Sequence, residues 1–196
     1  PTEHHGRDPR SLSSACRPLP GAALMVVDSV GKRAPNGQPG EILIRGPSVM
    51  AGYWNQPDAT AKTIDSDGWL RTGDVGEMDD AGYIYIHDRI KDMIITGGEN
   101  VYAAEVESVL ADHPGVAEVA VIGTPDPKWG EAVTAVVVPR PGTAIEPGAL
   151  SSWARTRLAG FKTPRRVIVA DALPRNPSGK VLKRVLRQTY GTAVPK

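Results

Sequence analysis

Short apolar runs separated by turn-forming residues characterise the first half of the chain. The runs are "ALMVVD", "GEILIRG", "WLRTGD" and "YIYIH", all within residues 22–87. Between them stand "PNG" at 35–37, "DSDG" at 65–68 and "DDAG" at 79–82, residue types that reverse the direction of a chain. We therefore predict a mostly β region that contains one brief helix over residues 58–64, with Asp58 as its N-cap.

The pattern changes after residues 88–92, where helical and strand-like periodicities alternate. "AAEVESVLADH" places Val106, Val109 and Leu110 on one helical face, and two valine-rich runs have the composition of buried strands. The predicted elements of this half are strands over 93–96, 116–123, 132–139 and 165–170, and helices over 103–113, 148–159 and from Lys180 onward. This mixed order predicts a small α+β domain after the β-rich region, so the fold class is α+β.

Composition narrows the class of protein without naming an activity. The 196 residues are 40% hydrophobic and 23% charged, with a net charge of +1, which is typical of a globular protein and argues against a nucleic-acid partner. The single cysteine, Cys16, has no internal partner for a disulfide, so we expect a reducing compartment and a cytoplasmic location. No apolar run reaches membrane-spanning length, and the first residues lack a signal-peptide core.

Two glycine-containing turns are candidates for ligand binding. In "WLRTGD" we expect Gly73 to turn the chain and Asp74 to end a strand, with a carboxylate that can accept two hydrogen bonds from a vicinal diol such as ribose. The alternative is an aspartate that caps a turn. Gly97 and Gly98 permit positive φ and a close approach of a ligand to the backbone. The alternative there is a tight strand-to-helix turn, because neither GxGxxG nor GxxxxGK(S/T) occurs in the chain.

The third candidate is Lys180, which follows "LPRNPSG" at the predicted start of the last helix. The helix dipole disfavours a cation there, so this lysine indicates either a tolerant loop or a functional charge. The alternative is an ordinary surface lysine, because Lys183, Arg184 and Arg187 follow it and such basic runs are usually solvated.

The order of the motifs is more specific than any one of them. "GEILIRGPSVMAGYWNQPDAT", "WLRTGD", "DRIKDMIITGGENVYAAEVE", "PDPKWGE" and "PRNPSGK" follow one another along the chain. This series closely resembles the adenylate-forming superfamily and, within it, a fatty acyl-CoA synthetase, from about Leu19 to Arg187. The resemblance implies that ATP activates a small-molecule carboxylate to an acyl-adenylate. A small C-terminal domain then rotates, and the acyl group passes to coenzyme A.

The resemblance also implies roles for individual residues. Lys180 matches the lysine of adenylation, Asp74 the residue that holds the ATP ribose hydroxyls, and Arg89 a contact to ribose and phosphates. Lys91 matches the hinge. The residues implied in coenzyme A binding are Gly97, Gly98, Trp129, Lys162, Arg165 and Arg166.

The residue patterns and the resemblance together predict four segments. Residues 1–20 form an irregular N-terminal segment, and 21–88 the β-rich end of a large N-terminal adenylation domain. Residues 89–92 form the hinge, and 93–196 the mobile α+β C-terminal domain.

Two motifs of the family do not occur, namely its phosphate-binding loop ending in Pro-Lys-Gly and its Tyr-Gly-x-Thr-Glu segment. We therefore expect the acyl pocket and the ligands of Mg²⁺ in a missing N-terminal part, assign no metal ligand here, and expect the chain alone to be inactive. Cys16 stands where the family usually has glycine, which puts that turn in doubt. The alternative function is a non-catalytic coenzyme A- or nucleotide-binding module, or a partner subunit that completes a split adenylating enzyme.

Overall fold

The computed structural model describes residues 13–15 and 17–191. Residues 1–12, Cys16 and residues 192–196 therefore lie outside the described part, and with them most of the predicted segment 1–20 and the end of the segment 93–196. The chain divides into two compact units, Pro1–Lys91 and Asp92–Lys196. The division falls inside the range 89–92 that the sequence marks as a hinge. Movement at that hinge, and the four segments named above, stay predictions. No helix of the described residues is long and apolar enough to cross a membrane.

The first unit is built on a four-stranded antiparallel sheet. Its strands pair in chain order, β1-β2-β3-β4, as short turns between neighbouring strands allow. The elements are β1 Ala23–Val27, β2 Gly40–Arg45, helix α1 Pro57–Thr63, β3 Leu70–Met78 and β4 Ile84–Arg89. A small core of Val26, Ala34, Ile42 and Ile84 packs on this sheet. The predicted β-rich character of this half is confirmed.

The predicted N-cap of helix α1 is wrong. Gln56 is the N-cap and Pro57 occupies the first turn, while Asp58 lies inside the helix. Proline suits that position because its fixed φ is already helical and its missing N–H would have no intrahelical partner. Asp58 still interacts favourably with the positive end of the helix dipole.

The second unit has a five-stranded sheet covered by helices. The strands run in the order β6-β5-β8-β7, and β9 pairs in parallel with β8. The elements are β5 Ile94–Thr96, β6 Glu99–Val101, α2 Ala103–Ala111, β7 Val116–Asp126, β8 Gly130–Pro139, α3 Pro147–Arg155, β9 Arg166–Val169 and α4 Lys183–Tyr190. The α+β class predicted from the sequence is confirmed.

The core of the second unit lies on both faces of the β7–β8 hairpin. Val121 and Val133 belong to one cluster with residues of α2 and α3, including Leu110 and Leu150. Alternate residues of the same strands, such as Ile122, belong to a second cluster that includes Leu186 of α4. Because successive side chains of a strand point to opposite faces, both strands must be apolar at nearly every position. This accounts for the continuous valine-rich runs.

Two local predictions in this unit are wrong. Gly97 and Gly98 do not lead from a strand into a helix, because they form the two-residue turn between β5 and β6, both with positive φ. The last helix begins at Lys183 rather than Lys180. The residues before Lys183 remain in a loop because Leu182 N–H donates to the carbonyl of Pro174 at 2.8 Å.

Candidate functional site

Asp74 lies within strand β3 and not at its end, which corrects the expectation from the sequence. The register of β2 and β3 pairs Glu41 with Val75 and Leu43 with Arg71, so three residues of β3 bulge opposite one residue of β2. Gly73 occupies the centre of this bulge with φ of +71°, a conformation that favours glycine. A bulge of this kind re-aims a neighbouring side chain, here that of Asp74.

Hydrogen bonds hold this bulge in one conformation. The Thr72 hydroxyl donates to the Ile42 carbonyl at 2.7 Å, and the Asp74 N–H donates to the Thr72 hydroxyl at 3.0 Å. The Glu41 carboxylate accepts from the Gly73 N–H at 3.3 Å and binds the Arg71 guanidinium at 2.6 Å. Sequence reasoning missed Glu41, because nothing in the sequence indicates that Glu41 contacts Gly73, which lies 32 residues further along the chain.

Arg89 is brought beside Asp74 by the pairing of β3 with β4, in which the two residues are direct partners. Arg89 Nε lies 3.2 Å from Asp74 Oδ1, and the side chains are 47% and 28% exposed. Within the described part of the chain, no group donates to Asp74 Oδ2. The pair therefore presents a free carboxylate oxygen, which can accept from a diol, next to a guanidinium, which can bind an anion.

Lys91 lies in a short 3₁₀ turn, Ile90–Asp92, directly after β4. It is also the last residue of the first compact unit.

Lys180 lies at the end of a closed loop in the second unit. A bridge between Arg175 and Val181 closes the loop. Inside it, the Asn176 side-chain oxygen accepts from the Lys180 N–H and from the Ser178 hydroxyl, both at 2.8 Å. The Asn176 N–H also donates to the Lys180 carbonyl at 2.9 Å. The backbone of Lys180 is thus held on both sides.

The ammonium group of Lys180 is exposed, and no residue among 13–15 and 17–191 pairs with it. Its basic neighbours differ, and the expectation that Lys183 and Arg187 are solvated charges is wrong. Lys183 Nζ lies 2.8 Å from Glu107, and Arg187 Nη2 lies 2.9 Å from Asp92. Among the basic residues Lys180, Lys183 and Arg187, Lys180 therefore combines a backbone held by hydrogen bonds with a side-chain ammonium that has no partner in the described residues.

Gly97, Trp129 and Arg165 form one cluster in the second unit. The Gly97 N–H donates to the Trp129 carbonyl at 2.8 Å, and a Cβ on Gly97 would lie 2.9 Å from the Trp129 ring. The Arg165 guanidinium stacks 4.3 Å from the ring centroid, and Lys128 lies 4.8 Å from it. An aromatic face with two cations suits a ligand that joins an apolar arm to phosphates.

The other residues predicted to bind coenzyme A are placed differently. Gly98 has open space around it, with no atom within 4 Å of an added Cβ. Lys162 Nζ lies 2.7 Å from both oxygens of Glu105, and the Arg166 guanidinium donates to the Tyr190 carbonyl at 2.9 Å. Two of the predicted phosphate contacts thus have protein partners.

The described residues contain no group of three or more His, Cys, Asp or Glu side chains that could hold a metal ion.

Comparisons with known proteins give matches in both compact units. The family model of the AMP-binding enzyme C-terminal domain matches residues 105–180, and that of the AMP-binding enzyme matches residues 2–54. The long-chain-fatty-acid–CoA ligase FadD13 of Mycobacterium tuberculosis is 55% identical over 157 residues, which is 80% of this chain and 31% of that protein. A feruloyl-CoA synthase of Amycolatopsis sp. is 52% identical over 161 residues, or 82% of this chain and 33% of that protein.

Among solved structures, ATP-bound MatB from Rhodopseudomonas palustris matches with a TM-score of 0.86 and 45% identity, over 92% of this chain and 36% of that one. The chain belongs to the adenylate-forming superfamily of AMP-binding enzymes and corresponds to its C-terminal part. It spans about a third of the length of the curated relatives that it matches.

Proposed function

We propose that the chain is the C-terminal portion of an ATP-dependent, AMP-forming acid–CoA ligase. This ligase activates a carboxylate of the fatty acid class to an acyl-adenylate and transfers the acyl group to coenzyme A. The observation that carries the proposal is the unpaired ammonium of Lys180 on a loop whose backbone is fixed. The names of FadD13 and of the feruloyl-CoA synthase support the class of reaction. The proposed fatty carboxylate rests on the resemblance of the motif series to fatty acyl-CoA synthetases.

Lys180 is proposed as the catalytic cation of adenylation. A carboxylate oxygen attacks the α-phosphorus of ATP, a new O–P bond forms, and the bond to pyrophosphate breaks. Two anions meet in this step, so their repulsion and the charge that develops on the α-phosphate oppose it. An ammonium placed beside both groups offsets that charge, and such preorganised groups are worth about 3 kcal/mol or more.

Asp74 and Arg89 are proposed to bind the nucleotide. The free oxygen of Asp74 and its partner oxygen can accept from the two ribose hydroxyls. The Arg89 guanidinium, already held by Asp74, supplies donors to the ribose or the phosphates. Because both side chains are partly exposed and weakly coupled, a nucleotide can reorganise them at low cost.

Coenzyme A is proposed to bind in the second unit. Gly98 leaves open space for the pantetheine arm, and Gly97 makes room for the Trp129 ring that would pack beside that arm. Arg165 is the proposed phosphate contact that pairs with no carboxylate of the described residues. Lys162 and Arg166 join it only after leaving Glu105 and the Tyr190 carbonyl.

The domain roles follow the same proposal. Residues 21–88 end the adenylation domain, Lys91 in the segment 89–92 is the pivot, and 93–196 move between the two half-reactions. Mg²⁺ would be held by ligands in the N-terminal part and would assist transfer of the adenylyl group.

The test uses a full-length ligase that carries this chain at its C-terminal end, with Lys180→Ala as the variant. Adenylation, measured by ATP–pyrophosphate exchange, is expected to fall about 100-fold or more, whereas thioester formation from supplied acyl-adenylate stays nearly unchanged. Arg184→Ala is the matched control, because Arg184 is exposed and its contact is a 3.5 Å hydrogen bond to Gln188.

Equal losses in both variants, or equal losses in both half-reactions, would contradict the role of Lys180. If the wild-type ligase shows no exchange but the chain binds coenzyme A or ATP, the alternative of a non-catalytic binding module or partner subunit is favoured instead.

A further inference from the structure

A single arginine side chain connects the tip of the loop that carries Lys180 to the sheet. Arg175 Nη1 donates to the Gly179 carbonyl at 2.6 Å, directly before Lys180. Its second terminal nitrogen, Nη2, donates to Glu118 Oε2 at 2.5 Å. One guanidinium therefore joins the loop tip to a carboxylate on strand β7, 57 residues away in the chain.

Glu118 is well placed to hold that guanidinium. It lies in β7, which pairs with β8 from Val116 to Asp126 with a register shift between Val116 and Glu118, and its own partner in the register is Val138. The neighbouring residues Val116, Val121 and Val137 are buried in the core. The backbone of Glu118 is thus part of a strand whose pairing and buried neighbours anchor it in the second unit.

The contact contributes little to the stability of the fold. Arg175 and Glu118 are 43% and 41% exposed, and exposed ion pairs contribute little because solvent screens them and two long side chains must be ordered. The loop itself contains Gly179 with φ of +84° and otherwise only local hydrogen bonds. The pair therefore restrains the position of the loop rather than the folding of the domain.

We infer that Glu118 and Arg175 are positioning residues for Lys180, which hold the Lys180 loop against β7 so that its ammonium is aimed for adenylation. The inference rests on the proposed function for its catalytic consequence, but the restraint itself can be measured without any activity. A fixed charge costs no reorganisation when the reaction occurs, and misplacing a reacting group by about 1 Å can cost up to 100-fold in rate.

The first measurement uses the 196-residue chain and ¹⁵N relaxation of the Gly179 and Lys180 amides. In Glu118→Ala we expect their order parameters to fall from about 0.85 toward 0.6 or below, while amides of β7 and β8 stay rigid. Asp171→Ala is the control, because it also removes an exposed carboxylate and should leave the loop unchanged. Glu118→Gln retains an acceptor for Arg175 and should restore part of the order.

The second measurement uses the full-length ligase carrying this chain. Glu118→Ala is expected to reduce the kcat of adenylation about tenfold, with thioester formation and the KM for ATP nearly unchanged. In a Lys180→Ala background the same change should have no further effect, because residues that act through one group are not additive.

Unchanged amide order parameters in Glu118→Ala would overturn the inference whether or not the protein is a ligase. A loosened loop with an unchanged adenylation rate in an active ligase would overturn it as well, as would an equal tenfold loss in the Lys180→Ala background. A wild-type ligase without adenylation activity would contradict the proposed function, and the relaxation measurement would still decide whether the restraint exists.

Discussion

Alanine substitutions at Gly97 and Gly98 test the packing of the Trp129 cluster, because both glycines have positive φ but only Gly97 lies against the Trp129 ring. Both have positive φ, +61° and +85°, so alanine at either position is strained by about 1–2 kcal/mol. A Cβ on Gly98 would meet no atom within 4 Å, whereas a Cβ on Gly97 would lie 2.9 and 3.2 Å from two atoms of the Trp129 ring. Overpacking of this kind costs a further 1–3 kcal/mol or so.

We therefore expect Gly97→Ala to destabilise the second unit by roughly 2–5 kcal/mol and Gly98→Ala by roughly 1–2 kcal/mol. For a domain of about 100 residues, each kcal/mol corresponds to about 4–8 °C in melting temperature. Gly98→Asn should be milder still, because asparagine tolerates this conformation. Thermal denaturation followed by circular dichroism gives the comparison.

A second readout isolates the ring itself, since the chain contains four tryptophans. The indole N–H resonance of Trp129 should shift in Gly97→Ala, as the ring moves away from Arg165, and stay in place in Gly98→Ala. Under the proposed function, Gly97→Ala should also raise the KM for coenzyme A without slowing adenylation. Equal melting temperatures for the two alanine variants, with an unmoved Trp129 resonance, would refute the packing argument.

Three further outcomes are expected. Lys183→Ala should lower the free energy of unfolding by about 1–3 kcal/mol, because it leaves the partly buried Glu107 carboxylate without its cation. The control Arg184→Ala should change the free energy of unfolding by less than about 0.5 kcal/mol. Equal urea midpoints for the two variants would contradict this expectation. Lys91→Pro in a full-length ligase should slow thioester formation more than adenylation, because proline fixes φ at the proposed pivot, and equal losses would argue against that pivot. The 196-residue chain alone should show no ATP–pyrophosphate exchange, since it contains no phosphate-binding loop motif; measurable exchange by the pure chain would show otherwise.

The sequence determined those features that depend on neighbouring residues. The valine-rich runs specify β7 and β8 because strands buried on both faces must be apolar throughout, and the residues around Pro35–Gly37, Asp65–Gly68 and Asp79–Gly82 separate the elements of the first half as predicted. The order of the short motifs was sufficient to indicate the superfamily, which the comparisons confirm.

Local sequence patterns predicted the ends of two elements wrongly, because hydrogen bonds from a side chain or pairing with a distant strand decide those ends. The helix predicted from Lys180 begins three residues later. The Asn176 side chain accepts a hydrogen bond from the Lys180 N–H, and the Pro174 carbonyl accepts one from the Leu182 N–H. The strand predicted to end at Asp74 continues, because pairing with β4 and a bulge opposite β2 carry it to Met78.

Tertiary structure alone decided which charges have partners. Lys183 was expected to be a solvated cation, Lys162 was implied as a phosphate contact, and Arg175 was not singled out in the sequence. Each meets a carboxylate more than 50 residues away in the chain. Trp129 similarly reaches Gly97 only through the antiparallel pairing of β5 with β8. The periodicity of apolar residues in the sequence indicates which face of an element is buried. The packing of the whole core decides which elements contact one another. The identity of an ion-pair partner, and hence the freedom of Lys180, follows from that packing.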